Sequence, residues 1–134
     1  MKKLLATDLL SLEEYDKSRQ QIKSDLMLHK KNRSIKIGDN VLISPGVRII
    51  SAEEIIIDSN VMIASNVYIS DSDWHGIYDR INTPGSSKKI HIEENAWIGE
   101  GSKISKGVRI GKNSIIGLGS VVISDVPDLS LIHI

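Results

Sequence analysis

From Ile35 onward the apolar positions recur with a step of six. Ile37, Ile43 and Ile49 are six apart, and Ile57, Ile63 and Ile69 repeat the step after a slip of two residues. Ile92, Ile98, Ile104, Ile110, Ile116 and Val122 then carry it further, so that all twelve positions are Ile or Val. The residues two before them are Ile35, Val41, Val47, Ile55, Val61, Val67, Ile90, Ala96, Ser102, Val108, Ser114 and Ser120, all aliphatic or small. Residues i−2 and i of a strand share one face, so each unit reads as a short strand with an inward pair, followed by a turn. Gly, Asn and Ser recur between the pairs, as in Gly38-Asp39-Asn40, Pro45-Gly46, Ser65-Asn66 and Gly111-Lys112-Asn113. These residues suit corners where φ is positive.

Three such units close a triangular coil of about 18 residues, and at least three repeats are needed for a stable stack. Coils stacked at the strand spacing of about 4.8 Å place each Ile over its equivalent in the next coil, an arrangement that favours β-branched side chains. The pattern predicts an all-β fold, a parallel β-helix of about four coils over residues 35–127. The period does not fix the hand of the coil. Residues 1–34 read differently. Ser11 with Glu14 forms a capping-box pattern, and Lys30, Lys31 and Arg33 suit the negative end of a helix. Leu12, Tyr15, Ile22, Leu26 and Met27 are loosely helical in spacing. An amphipathic N-terminal α-helix over about 12–31, packing on something else, is expected. His29 falls on it as a surface residue.

The repeat breaks once at length. From Ile69 to Ile92 the step is 23 instead of six. The surplus, a projecting loop over residues 70–89, holds Asp71-Ser72-Asp73-Trp74-His75-Gly76-Ile77-Tyr78-Asp79-Arg80 and then Pro84-Gly85-Ser86-Ser87. A loop of this length in so compact a repeat is usually functional, and its His, Trp, Tyr and Asp are not the composition of a disordered linker.

Composition adds exclusions. A chain of 134 residues makes one domain at most. Seventeen Lys and Arg against seventeen Asp and Glu leave no electrostatic footprint for nucleic acid or an anionic membrane. No cysteine is present, which removes disulfides, thiolate metal sites and a cysteine nucleophile and is compatible with the cytosol. No apolar run is long enough for a membrane span, and Asp8 with the charges after Leu12 interrupts any signal-peptide core. A cytoplasmic protein is expected. The absence of Phe, with two Trp and three Tyr, points to a core of stacked small layers.

The stretch Asn95-Ala96-Trp97-Ile98-Gly99-Glu100-Gly101, with Ile104, Gly107-Val108 and Ile110 through Val122, resembles the hexapeptide-repeat acyltransferases. Within that family it is most similar to the galactoside, maltose and polysaccharide O-acetyltransferases. Asp125-Val126-Pro127 matches the family's exit from the last coil. The resemblance covers about residues 35–127, and from it alone comes the expectation that the β-helix is left-handed. It also implies the activity: transfer of an acetyl group from acetyl-coenzyme A to a hydroxyl of a small saccharide. In the family a loop at the place of the break carries the catalytic histidine, and His75 is the one histidine there. Imidazole, with an ordinary pKa near 6.5, suits a general base that takes the hydroxyl proton as oxygen attacks the thioester. Fixed backbone N–H groups at β-helix corners suit the resulting oxyanion. The alternative for His75 is a solvated loop histidine.

Asp71, Asp73, Asp79 and Arg80 could orient His75 or meet acceptor hydroxyls, or they could simply be charged loop surface. Asn66 matches an acceptor-facing Asn of the family and could equally be a turn Asn, and Trp74 joins the acceptor group. Trp97 stands at the family's Asn-x-Trp-Ile-Gly tryptophan, at an outward strand position beside the cleft. The resemblance places coenzyme A in the groove between subunits of a homotrimer, near Trp97, Gly99, Glu100, Gly117, Leu118 and Ser124. Two positions depart from the family: Leu118 where Ala is common, and Ser124 where Lys is common near the coenzyme's phosphates. No metal is expected. His75 and His91 lack the third histidine of a β-helix zinc site.

The residues 128–134 form a tail. Leu129-Ser130-Leu131-Ile132-His133-Ile134 is what CTG TCT CTT ATA CAC ATC encodes, which resembles a transposon-end sequencing adapter. The expectation is a longer natural gene, with this tail artefactual. Two other functions compete with O-acetylation. One is N-acetylation of an amino sugar by the same fold. The other is a non-catalytic β-helix scaffold, which would have a short corner in place of the His75 loop.

Overall fold

The computed structural model describes residues 33–132. The expected N-terminal helix, His29 and His133 lie outside the described residues. Within them the chain runs through thirteen short strands: β1 (Ser34–Ile37), β2 (Leu42–Ile43), β3 (Arg48–Ile50), β4 (Glu54–Ile57), β5 (Met62–Ile63), β6 (Tyr68–Ser70) and β7 (Ile90–Ile92). They continue as β8 (Trp97–Ile98), β9 (Lys103–Ile104), β10 (Arg109–Ile110), β11 (Ile115–Ile116), β12 (Val121–Val122) and β13 (Leu131–Ile132). From β1 to β9 each strand pairs, in parallel, with the third strand on, its equivalent in the next coil, and β13 pairs β11. Sheet A has the order β1-β4-β7-β10, sheet B β13-β11-β8-β5-β2 and sheet C β12-β9-β6-β3. The result is a triangular parallel β-helix of four complete coils and an incomplete fifth, about five turns in all. The fifth begins where Val126 bridges Ile110 and ends where β13 pairs β11.

The six-residue step becomes vertical ladders. Ile55 sits over Ile35 and under Ile90, Ile57 over Ile37 and under Ile92. Ile43, Ile63, Ile98, Ile116 and Ile132 stack through sheet B, and Ile49, Ile69, Ile104 and Val122 through sheet C. From Ile55 to Ile116 the ladder isoleucines are at most 1% exposed. In the upper coils, serine replaces valine at three inward positions, and each hydroxyl is satisfied at a corner. Ser114 Oγ donates to Pro127 O at 2.7 Å, Ser120 Oγ to Gly117 O at 2.6 Å and Ser102 Oγ to the same carbonyl at 3.1 Å.

The corners explain the recurrent Asn. Asn40, Asn60, Asn95 and Asn113 all adopt φ near +60° at the turn before sheet B, and Asn95 Nδ2 donates to Asn113 Oδ1 at 2.8 Å in the coil above. Asn tolerates this left-handed region better than other side chains with a Cβ. In the fifth coil the equivalent residue is Leu129, at φ 60°. The tail thus continues the coil by its Leu-Ser-Leu-Ile alternation while breaking the corner pattern.

Candidate active site

The slip of two residues after β3 makes a wide corner, Ser51–Glu53, and the backbone amides there need an acceptor. Asp71 supplies it. Its carboxylate accepts Ala52 N at 2.6 Å, Glu53 N at 3.0 Å and Ser51 Oγ at 2.8 Å, and the residue is fully buried. Asp71 therefore does not face an acceptor, contrary to expectation: its lone pairs are committed to the coil beneath. From this anchor the chain leaves the β-helix as a hairpin. Lys88 N donates to Asp71 O, Asp73 N to Ser86 O and Gly76 N to Thr83 O, at 2.9, 3.0 and 2.7 Å, and Ser72 bridges Ser87 antiparallel.

His75 stands on the outbound arm, exposed, with Nδ1 3.3 Å from Gly76 O. The preceding Trp74 adopts φ 69°, which turns the chain sharply, and its indole donates back to Ser70 Oγ at 2.9 Å. Opposite lies Gly85, where a Cβ would fall 2.6 Å from His75 N and 2.7 Å from His75 O. Only glycine lets the return arm approach the histidine backbone this closely. Asp73, two residues away, accepts Lys106 Nζ at 2.5 Å and Ser86 Oγ at 3.1 Å. The Lys106 ammonium beside it holds the Asp73 carboxyl below the usual aspartate range, and the Ser86 hydroxyl acts the same way. At the tip, Asp79 caps the turn by accepting Asn82 N at 2.9 Å and Ile81 N at 3.2 Å, which lowers its own carboxyl. Arg80 is exposed at that tip.

The other expected residues divide among the edges of the prism. Asn66 is a left-handed corner residue at φ 61° between sheets B and C, its side chain against Gly46 of the coil below. Glu100 and Leu118 are exposed at the same edge in the third and fourth coils. Gly119 N donates to Glu100 O at 2.7 Å. Gly99 is buried there, and a Cβ at this position would lie 2.5 Å from Ile116 O. Gly117 takes its place in the same stack, donating to Ile132 O at 2.5 Å. Ser124 is on the edge between sheets C and A, the edge from which the His75 loop departs two coils lower. Trp97 faces outward from sheet B in line with Leu42, Met62, Ile115 and Leu131. These five are 36–57% exposed. His91 also faces outward, from sheet A, and its Nε2 lies 2.9 Å from Asp58 Oδ2. Among the described residues no three His, Asp or Glu side chains converge as a metal site.

Lys106 and Gly85 were not singled out by sequence. The usable signal was positional: Lys106 sits in the corner one coil above the break, and Gly85 lies in the loop at a point no six-residue step explains.

The chain matches the family model described as bacterial transferase hexapeptide (six repeats) over residues 89–124. A second model, for a protein of unknown function, matches residues 3–44. Among curated protein sequences, none matches. Several solved structures do. The polySia-specific acetyltransferase NeuO is 33% identical at a TM-score of 0.65, over 72% of this chain and 46% of its own, so the chain spans less than half of it. The hexapeptide-repeat acetyltransferase VCA0836 of Vibrio cholerae O1 biovar eltor, solved with acetyl-coenzyme A, is 25% identical at 0.69, covering 92% of this chain and 85% of its own. A maltose O-acetyltransferase from Clostridium difficile 630, 24% identical at 0.60 and covering 94% and 84%, shares the fold.

Proposed function

We propose that the chain, which matches the hexapeptide transferase model over residues 89–124 and resembles the hexapeptide-repeat acetyltransferase VCA0836 along most of its length, moves an acetyl group from acetyl-coenzyme A to a hydroxyl of a small saccharide, with His75 as general base. The observation that carries this reading is the hairpin at the one long break of the repeat. It is anchored at its base by Asp71, braced by Gly85, and presents a single exposed histidine. A scaffold would have no use for this device, whereas a base must be held in place to act. His75 Nε2 would accept the acceptor's proton as its oxygen attacks the thioester carbonyl. The proton then passes to the coenzyme's departing thiolate as the tetrahedral intermediate collapses. NeuO, whose name states a polysialic-acid substrate, supports a saccharide acceptor, and the acetyl-coenzyme A complex of VCA0836 supports the donor.

The active unit in this reading is a cytoplasmic homotrimer with its sites between subunits. In one chain the His75 loop and Ser124 occupy the edge between sheets C and A, while Glu100, Gly117 and Leu118 occupy the edge between sheets B and C. The whole of sheet C separates them. Apposing an edge of one copy to a different edge of the next brings the two groups into one groove, where acetyl-coenzyme A would run past Trp97, Gly99, Glu100, Gly117, Leu118 and Ser124. The apolar outward row of sheet B supports a partner in the same way, since exposed apolar ladders of this kind mark interaction surfaces.

The test is release of free coenzyme A from acetyl-coenzyme A with a panel of saccharides. His75→Ala should lower kcat by about 10²–10⁴-fold with an unchanged melting curve. A folded mutant with wild-type turnover would remove His75 from the role, and turnover only with amino sugars would replace O- by N-acetylation. Light scattering of the full chain reads the trimer.

A further inference from the structure

We infer that Lys106 is a positioning residue for the reaction proposed above: it clamps both arms of the His75 hairpin to the third coil. The corner Ser105–Gly107 lies directly above the place where the hairpin leaves the second coil, and it is shaped as a seat. Gly107 N donates to Lys88 O at 2.9 Å, and the aliphatic stem of Lys88 lies against Gly107. These contacts hold the return arm only. Lys106 Nζ reaches further, donating to Asp73 Oδ2 on the outbound arm at 2.5 Å and to Ser86 Oγ on the return arm. Ser86 Oγ donates to Asp73 Oδ2 in turn, so one ammonium, one hydroxyl and one carboxylate close a ring across the hairpin.

Position gives this ring a consequence that an ordinary surface ion pair lacks. Among the described residues, Lys106 makes the third coil's one side-chain hydrogen bond to the outbound arm, and that arm carries His75 two residues beyond Asp73. Asp71 fixes the arm from below, on the first-coil corner. Lys106 fixes it from above. A base tethered from one side swings about its anchor, and a displacement of about 1 Å from the productive geometry is costly in rate. The pair itself is part-exposed, at 32% and 39%, so it adds little to global stability. Its effect is therefore on where His75 sits, and it does not touch the reacting atoms.

Arg80 at the exposed tip provides a direct readout, since trypsin should cut after it faster when the two arms of the hairpin are less firmly held. Lys106→Met in the full chain should raise the rate of cleavage after Arg80 several-fold and lower kcat about tenfold. Its KM for acetyl-coenzyme A should stay within about twofold, and its melting temperature should not move. Lys106→Arg, which keeps a cation at the same reach, should restore most of both. Asp73→Asn breaks the ring from the other side, and the Asp73→Asn/Lys106→Met double variant should be no worse than either alone. Wild-type cleavage and turnover in Lys106→Met would overturn the inference, as would additive losses in the double variant. Because cleavage is read without substrate, a failure of the acetyltransferase reading leaves the clamp separately testable.

Discussion

The stacked coils and the hairpin that leaves them are held together by different forces. In the coils, the inward isoleucines from Ile55 to Ile116 lie in continuous ladders with almost no exposure, and successive coils are joined by parallel strand pairs. The hairpin over residues 71–89 contributes no apolar side chain to that core. It is fixed by polar contacts at known points: the Asp71 carboxylate under it, the Ser70–Trp74 bond, the Asp73–Ser86–Lys106 ring and the Asp79 cap. Burial is non-directional and accumulates with area, so it suits a rod whose units are interchangeable. Hydrogen bonds are directional and local, so they suit one side chain that must stand at one place. A stable scaffold with a separately positioned loop is the division of labour a rigid active site needs.

That contrast can be broken from the coil side first. Ile98→Ala removes a fully buried ladder residue at mid-stack and should cost about 2–5 kcal/mol, read as a lower urea midpoint for the whole chain. Loss confined to the hairpin, with the coils intact, would contradict the picture. A smaller effect follows from the hairpin's base. Asp71→Asn keeps the shape but turns a donor toward Ala52 N or Glu53 N, and it should cost about 1–3 kcal/mol. Hydrogen exchange should localise the change: the Lys88 amide, bonded to Asp71 O, should exchange faster while the amides of β8 and β11 hold their protection. Uniform loss of protection would make Asp71 part of the coil's own stability.

The smallest effect is set by acid. Asp73 is held below its ordinary value of 3.8, chiefly by Lys106. A group lowered in the folded state contributes above its unfolded pKa, and the contribution is lost as pH falls through the folded value. Docking of the outbound arm should therefore persist through neutral and mildly acidic pH and weaken only below about 3.8. The indole N–H resonance of Trp74, next to Asp73, should shift in that range while that of Trp97 on the coil stays in place. Movement of Trp74 above pH about 5 would point to another titrating group.

The two regions also differ in how far the sequence reveals them. The coil was legible because one physical rule is applied at every step: an inward Ile, a tolerant corner, a parallel partner one coil on. Even its irregularities were visible, as the slip between Ile49 and Ile57 and the break after Ile69. The hairpin offered only its location and its residue types. Asp71, Asp73 and Asp79 looked alike in sequence, yet one anchors a corner, one joins a clamp and one caps a turn. Nothing local distinguishes them, because each role is decided by a partner elsewhere in the chain: Ala52, 19 residues back, Lys106, 33 residues on, and Asn82, three residues on.

By itself, then, the sequence determined the all-β class, the six-residue step, the inward ladders, the place of the loop and the one histidine on it. It did so because side-chain alternation and corner chemistry are properties of neighbouring residues. The fifth, incomplete coil and the commitment of Asp71 to the Ser51–Glu53 corner were settled only by the fold. So were the seating of the hairpin on Gly107 and Lys106, and the separation of the His75 edge from the Gly117 edge. Each depends on which residues of successive coils come to lie one above another. That superposition is fixed by the stacking of coils, and residues far apart in the chain meet only once it has formed.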